Sequence, residues 1–157
     1  MAHSHQRYHR ILVPLDGSGW AKRAVPHAAD LARANDAELI LLHVFKTAAS
    51  EFIDQVALAG QDAQIDAARQ QMKQYLMGLR SELREEGLNV RVQWIEGSSV
   101  AHLICDYINA EGVDLVVMST HGGTGLRRFL FGSVTNQVMQ GIKAPVLLIR
   151  PDESEGA

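Results

Sequence analysis

Short, strongly apolar runs alternate along this chain with longer stretches in which apolar residues recur every three or four positions. That alternation of a two-residue with a 3.6-residue period is the pattern of strands interleaved with helices, and it implies an α/β layered domain with a largely parallel sheet. The expected strands are Arg10 to Leu15, Glu38 to Phe45, Asn89 to Ile95, Asp114 to Ser119 and Pro145 to Ile149. Leu39-Ile40-Leu41-Leu42 is nearly unbroken, as a strand covered on both sides requires, so the second strand is expected near the sheet centre. Val90, Val92 and Trp94 alternate with Arg91 and Gln93, which suits an edge strand.

Four helices fill the intervals. Ser18 is placed to cap the first, whose Ala21, Ala24, Val25, Ala28, Leu31 and Ala32 share a face. A weakly patterned stretch, Thr47 to Gly60, precedes a long helix from about Gln61 to Glu86 with Ile65, Met72, Leu76, Leu79 and Leu83 inward and Gly87 as its stop. Ser98 or Ser99 opens the third helix, which presents Val100, Leu103, Ile104, Tyr107 and Ile108. The last helix begins at Gly132-Ser133 and points Val134, Val138 and Ile142 inward. With 157 residues and 46% hydrophobic content, the expectation is one domain over residues 1–157, with flexible tails at 1–9 and 151–157.

Several functional classes are disfavoured by composition. No apolar run approaches the roughly 20 residues of a membrane span, and Met1 to Arg10 is polar, so a soluble cytoplasmic protein is expected, without a membrane partner. The single cysteine, Cys105, has no disulfide or zinc partner and reads as a small, partly buried residue of the third helix. A formal charge of −3, with Lys and Arg scattered, argues against nucleic acid as a partner. His3, His5 and His9 belong to the expected tail and are assigned no metal.

In an open parallel sheet, ligands sit beyond the carboxyl ends of the strands. The segment after strand four, Met118 to Thr135, is rich in glycine and hydroxyl side chains, and it leads into a helix start at Gly132-Ser133. Glycines let successive N–H groups converge on an anion, and the first turn of a helix adds unpaired N–H groups and partial positive charge. The alternative is that the glycines only turn the chain and Ser133 only caps. The segment's position between a buried strand and a helix favours a phosphate site.

Val13-Pro14-Leu15-Asp16-Gly17-Ser18, Leu41-Leu42-His43-Val44, Met118-Ser119-Thr120-His121-Gly122, Gly132-Ser133-Val134-Thr135 and Ala144-Pro145-Val146-Leu147-Leu148-Ile149-Arg150 together resemble the universal stress protein family over nearly the whole chain. The resemblance implies an open five-stranded parallel sheet with helices on both faces, Rossmann-like, in strand order 3-2-1-4-5. Nucleotide-binding members carry Gly-x2-Gly-x9-Gly-Ser/Thr; here Gly122 and Gly132-Ser133 match, and Ser119 stands at the first glycine. Because Ser119 continues a strand, it is expected to have ordinary strand torsions, to keep its N–H and to add a hydroxyl donor. Carried over residue by residue, the resemblance implies ATP, ADP or AMP as ligand. Asp16 and the backbone at Val44 would lie at the base and ribose end, Met118 and Ser119 by the ribose, and Gly122, Gly132, Ser133, Val134 and Thr135 around the phosphates, with Pro14, Leu15 and His121 also among the nucleotide-binding residues. Mg2+ would come only with the nucleotide. For Asp16, a purely turn-forming role ahead of Ser18 stands as the alternative.

No other motif competes. Gly17-x-Gly19 has Lys22 where a dinucleotide fingerprint needs glycine, and Gly132-Ser133-Val134-Thr135 lacks the lysine of a Walker loop. His43 reads as a hydrogen-bonded core residue, His121 as a helper in loop geometry, and Arg127 and Arg128 as solvent-facing. No nucleophile, base and orienting group assemble, so nucleotide binding with little or no hydrolysis is expected. The other readings are a non-nucleotide interaction protein of the same fold and a very slow ATPase. The resemblance also implies a homodimer through the last strand, Val146, Leu147, Leu148 and Ile149, whose lack of polar residues fits an edge that pairs with a second copy.

Overall fold

A computed structural model describes residues 7–47, 62–121 and 131–150. Its elements are β1 (Arg10–Pro14), α1 (Gly19–Lys22), α2 (Ala24–Asn35), β2 (Glu38–Lys46), α3 (Asp62–Glu85), β3 (Asn89–Gly97), α4 (Val100–Ala110), β4 (Leu115–Ser119), α5 (Ser133–Gly141) and β5 (Val146–Ile149). The five strands form one sheet in the order β3-β2-β1-β4-β5, and every neighbouring pair is parallel. This is the expected order, with β3 and β5 as edges. The centre is β1, with β2 between it and the β3 edge.

Alternation along each strand divides the core in two. Ile11, Val13, Leu39, Leu41, Leu115 and Val117 face a layer made by α2 and α3, including Ala28, Ala32, Leu76 and Leu83. Leu12, Ile40, Leu42, Val116 and Met118 face α4 and α5, through Ala101, Ile104, Ile108 and Val138. Each fully buried leucine, isoleucine or valine among these stabilises the fold by roughly 1.5–3 kcal/mol. The small side chains of Ala24, Ala28, Ala29 and Ala32 let α2 lie close over the sheet.

The first expected helix is two helices. Pro26 has no N–H to give the Lys22 carbonyl four residues back, and its ring crowds that carbonyl, so α1 stops at Lys22 and α2 restarts at Ala24. Ile65, assigned to the core face of the long helix, is 45% exposed on its first turns; the buried face is Leu76, Leu79 and Leu83. Gly87 ends α3 as expected, at φ +88, a left-handed conformation that costs glycine little. Beyond β1, Leu15 N–H still bonds the Leu42 carbonyl at 2.8 Å.

Tyr8 and His9, read as tail, are tied down. Tyr8 N–H donates to Asn35 Oδ1, and the N–H groups of His9 and Arg10 donate to the Asp114 carboxylate. The tail calls for residues 1–6 and 151–157, and nearly all of the weakly patterned stretch, lie outside the described residues. No helix is long and apolar enough to cross a membrane among the described residues.

Candidate functional site

At the carboxyl ends of β1 and β4 the order of strands reverses direction around the sheet centre, and the connections leave to opposite faces. A crevice opens there of necessity. In this structure it is a cleft of about 250 Å3.

One wall is the turn after β1. Gly17 adopts φ +87, which reverses the chain, and Asp16 Oδ1 accepts from both Ser18 N–H (2.8 Å) and Ser18 Oγ (2.5 Å). Ser18 Oγ in turn accepts from Ala21 N–H at 3.1 Å and so caps α1, as its position in the sequence requires. Both readings of Asp16 therefore have a physical basis: it builds the turn, and it lines the cleft.

The opposite wall is the start of α5. Its N-cap is Gly132, which has no side chain with which to cap, and the first-turn N–H groups of Ser133, Val134 and Thr135 have no acceptor within the helix. This end carries the partial positive charge of the helix dipole. Apolar residues lie between the walls: Leu42 and Val44 from β2, Val100 and Ile104 from α4, Met118 from β4 and Ala21 from α1.

Ser119 lies inside β4 and is 8% exposed. Among the described non-glycine residues only Asp36 has a positive φ, so Ser119 has the expected strand torsions and a β-carbon is tolerated at the motif's first glycine position. Its hydroxyl, however, donates to the His121 carbonyl at 2.5 Å, and the Thr135 hydroxyl donates to the Ser119 carbonyl at 3.0 Å. The Thr135 hydroxyl fastens the end of β4 to the start of α5, and the Ser119 hydroxyl braces the turn that follows β4.

Of the site residues read from the sequence, the cleft brings together Pro14, Leu15, Asp16, Val44, Met118, Ser119, Gly132, Ser133, Val134 and Thr135. His121 stands outside the lining, half-buried, with its ring Nδ1 2.9 Å from Thr120 Oγ1. Gly122, Gly123, Gly125, Arg127 and Arg128 lie outside the described residues. The sequence reading did not include Ala21, Leu42, His43, Val100 and Ile104. Leu42 was findable, because it shares a strand face with Val44 two residues on. His43 is hydrogen-bonded, as expected, through Nδ1 to the Leu15 carbonyl at 2.6 Å, and since a carbonyl only accepts, Nδ1 carries the proton. Yet the ring is half-buried on the cleft wall, not sealed in the core.

The matching family model is the universal stress protein family, over residues 7–150, and the chain belongs to that family. Universal stress protein YxiE of Bacillus subtilis is 30% identical over 151 residues, covering 91% of this chain and 99% of the relative. Among solved structures, that of protein MJ0577 of Methanocaldococcus jannaschii superposes with a TM-score of 0.78 at 28% identity, covering 94% of this chain and 99% of the other. A universal stress protein family member from Arabidopsis thaliana with AMP bound shares the fold, at 19% identity and a TM-score of 0.65, each chain covered to 94%.

Proposed function

We propose that this chain is an adenine-nucleotide-binding regulatory module of the cytoplasm that takes ATP, ADP or AMP in the cleft between β1 and β4 and hydrolyses it little or not at all. The observation that carries this reading is the pairing, in one apolar cleft, of an uncapped helix N-terminus on one wall with a single carboxylate on the other. Phosphate beside the Asp16 carboxylate is repelled, whereas phosphate at the α5 N-terminus is stabilised by N–H groups and dipole together. This gives the ligand a direction. Gly122, Gly132, Ser133, Val134 and Thr135 receive the phosphates; Met118 and Ser119 flank the ribose; Pro14, Leu15, Asp16 and Val44 meet the ribose and base.

Slow turnover follows from the cleft's inventory. Its one carboxylate among the described residues, Asp16, lies on the wall away from the phosphates and already accepts two hydrogen bonds from Ser18. Mg2+ in this reading enters only as the counter-ion of a polyphosphate. The binding of AMP by a relative of the same fold is in keeping with an adenine nucleotide. The functional unit in this reading is a homodimer paired through Val146, Leu147, Leu148 and Ile149 of β5, an edge strand whose Leu147 is 37% exposed.

Isothermal titration of the purified chain with ATP, ADP and AMP up to millimolar concentration tests the proposal. Saturable binding of at least one is expected, and product analysis should show turnover well below about 1 per second. No heat with any of the three overturns it in favour of an interaction protein that uses the fold without a nucleotide.

A further inference from the structure

Residues 132–149, comprising α5, its connection and β5, are fastened at both ends to one residue. Thr120 is 2% exposed. Its carbonyl accepts from Gly132 N–H at 2.6 Å, immediately ahead of α5, and its own N–H donates to the Ile149 carbonyl at 3.0 Å, at the last residue of β5. The neighbours brace the same point: the Thr135 hydroxyl holds the Ser119 carbonyl at 3.0 Å, the Ser119 hydroxyl holds the His121 carbonyl at 2.5 Å, and Thr120 Oγ1 stands 2.9 Å from His121 Nδ1. Hydrogen bonds on either side of one buried residue thus connect the anion-facing start of α5 to the strand that forms the free edge of the sheet.

We infer that Thr120 is a clasp through which nucleotide occupancy of the cleft and pairing of a second copy on β5 strengthen one another. The inference rests on the nucleotide and dimer reading above and adds its regulation. An anion at the first-turn N–H groups of α5 orders Gly132 and therefore the Thr120 carbonyl. Strand pairing on β5 orders Ile149 and therefore the Thr120 N–H. Each event orders the same few residues, so whichever comes second has less conformational entropy to lose, and the coupling is positive. Reciprocity requires that the factor by which nucleotide tightens the dimer equal the factor by which dimerisation tightens nucleotide.

Gly132 allows a clean test because its φ of −63° and ψ of 160° suit any residue, proline included. Gly132→Pro removes the N–H that Thr120 accepts. The dimer dissociation constant of the full chain is measured by sedimentation over a dilution series, with and without ATP or AMP at a concentration that calorimetry shows to be saturating. In the wild type, nucleotide should lower that constant about fivefold or more, the lower range of ordinary allosteric coupling. Gly132→Pro should lose the shift while still dimerising. A wild type that binds nucleotide with an unchanged dimer constant, or that stays monomeric throughout, overturns the clasp and leaves nucleotide binding standing. So does a Gly132→Pro protein with the full shift. Absence of any calorimetric binding removes both readings. If the proline variant does not fold, or folds but no longer binds nucleotide, amide hydrogen exchange on the wild type decides. Slower exchange at Thr120 and along β5 on adding nucleotide supports the clasp, and unchanged exchange at both overturns it.

Discussion

Asp16 is the residue on which structure and function overlap most closely. Its Oδ1 accepts twice from Ser18, whose own oxygen caps α1, so the carboxylate, the turn and the short helix form one unit. Asparagine retains the turn, because an amide oxygen accepts the same two bonds, but it lacks the charge. Asp16→Asn should therefore fold with little loss of melting temperature and bind adenine nucleotide about tenfold more weakly, the cost of reducing a charge-assisted hydrogen bond to a neutral one. Calorimetry reads the affinity and circular dichroism the fold. If Asp16→Ala folds and binds nucleotide as the wild type does, Asp16 serves the turn alone. At this scale the sequence was informative where local chemistry decides conformation, as at Ser18, Gly87 and the strand torsions of Ser119. It was misleading about the Ser119 hydroxyl, which was credited as a donor to ligand but donates to the His121 carbonyl two residues on.

Among the elements, α4 and α5 meet at a contact with little spare volume. A β-carbon on Gly141 would lie 2.7 Å from Cys105 Sγ, closer than such atoms approach. Gly141→Ala should consequently cost about 1–3 kcal/mol, the usual penalty for overfilling a packed contact. Cys105→Ala should recover most of it, so that urea melts of the two single variants and the double variant give a clearly favourable coupling energy. This contact also fixes the role of the lone thiol, whose pKa is raised chiefly by burial, with Asp106 adding to it. Strands and helices were legible because both faces of the sheet are covered, which leaves nearly continuous apolar strands and helices with one apolar face. Two details were not legible. The break between α1 and α2 depends on how Pro26 meets the Lys22 carbonyl. The approach of Val100 and Ile104 to the cleft depends on which end of α4 lies at the carboxyl end of β2, and that is a property of the fold, not of helical period.

For the molecule as a whole, alkaline pH probes burial. Tyr75 and Tyr107 have pKa values raised above the ordinary 10.0, first by burial and then, for Tyr75, by Asp16 and Glu82. In the unfolded chain these phenols lose their protons at about pH 10, whereas in the fold they lose them only at higher pH. Their contribution to stability is thus complete below pH 10 and is lost as pH rises through the folded values; Cys105, raised from 9.0, begins the same decline earlier. Melting temperature should fall from about pH 9 upward, and Tyr107→Phe should lessen the fall, at little cost near neutrality because its hydroxyl is buried without a hydrogen-bond partner. The outer edge of β5 provides a second whole-molecule test. Leu147→Lys places a charge on an edge that is otherwise apolar, and it should give a folded monomer in sedimentation. A persistent dimer would locate the interface elsewhere. The central place of β1 has a further consequence, in time. Ile11 pairs with Leu39 on one side and with Leu115 on the other, 104 residues along the chain. At translation rates of about 5–20 residues per second, the second partner leaves the ribosome roughly 5–20 s after Ile11 does. β1, β2 and β3 are all made only from Gly97 onward, and until Leu115 follows, one flank of β1, apolar from Ile11 to Val13, stays unpaired. The cleft lies along the same seam. If a nucleotide binds there, as proposed, it can recognise only a chain made through the start of α5, and by bridging the early half to the late one it would slow unfolding.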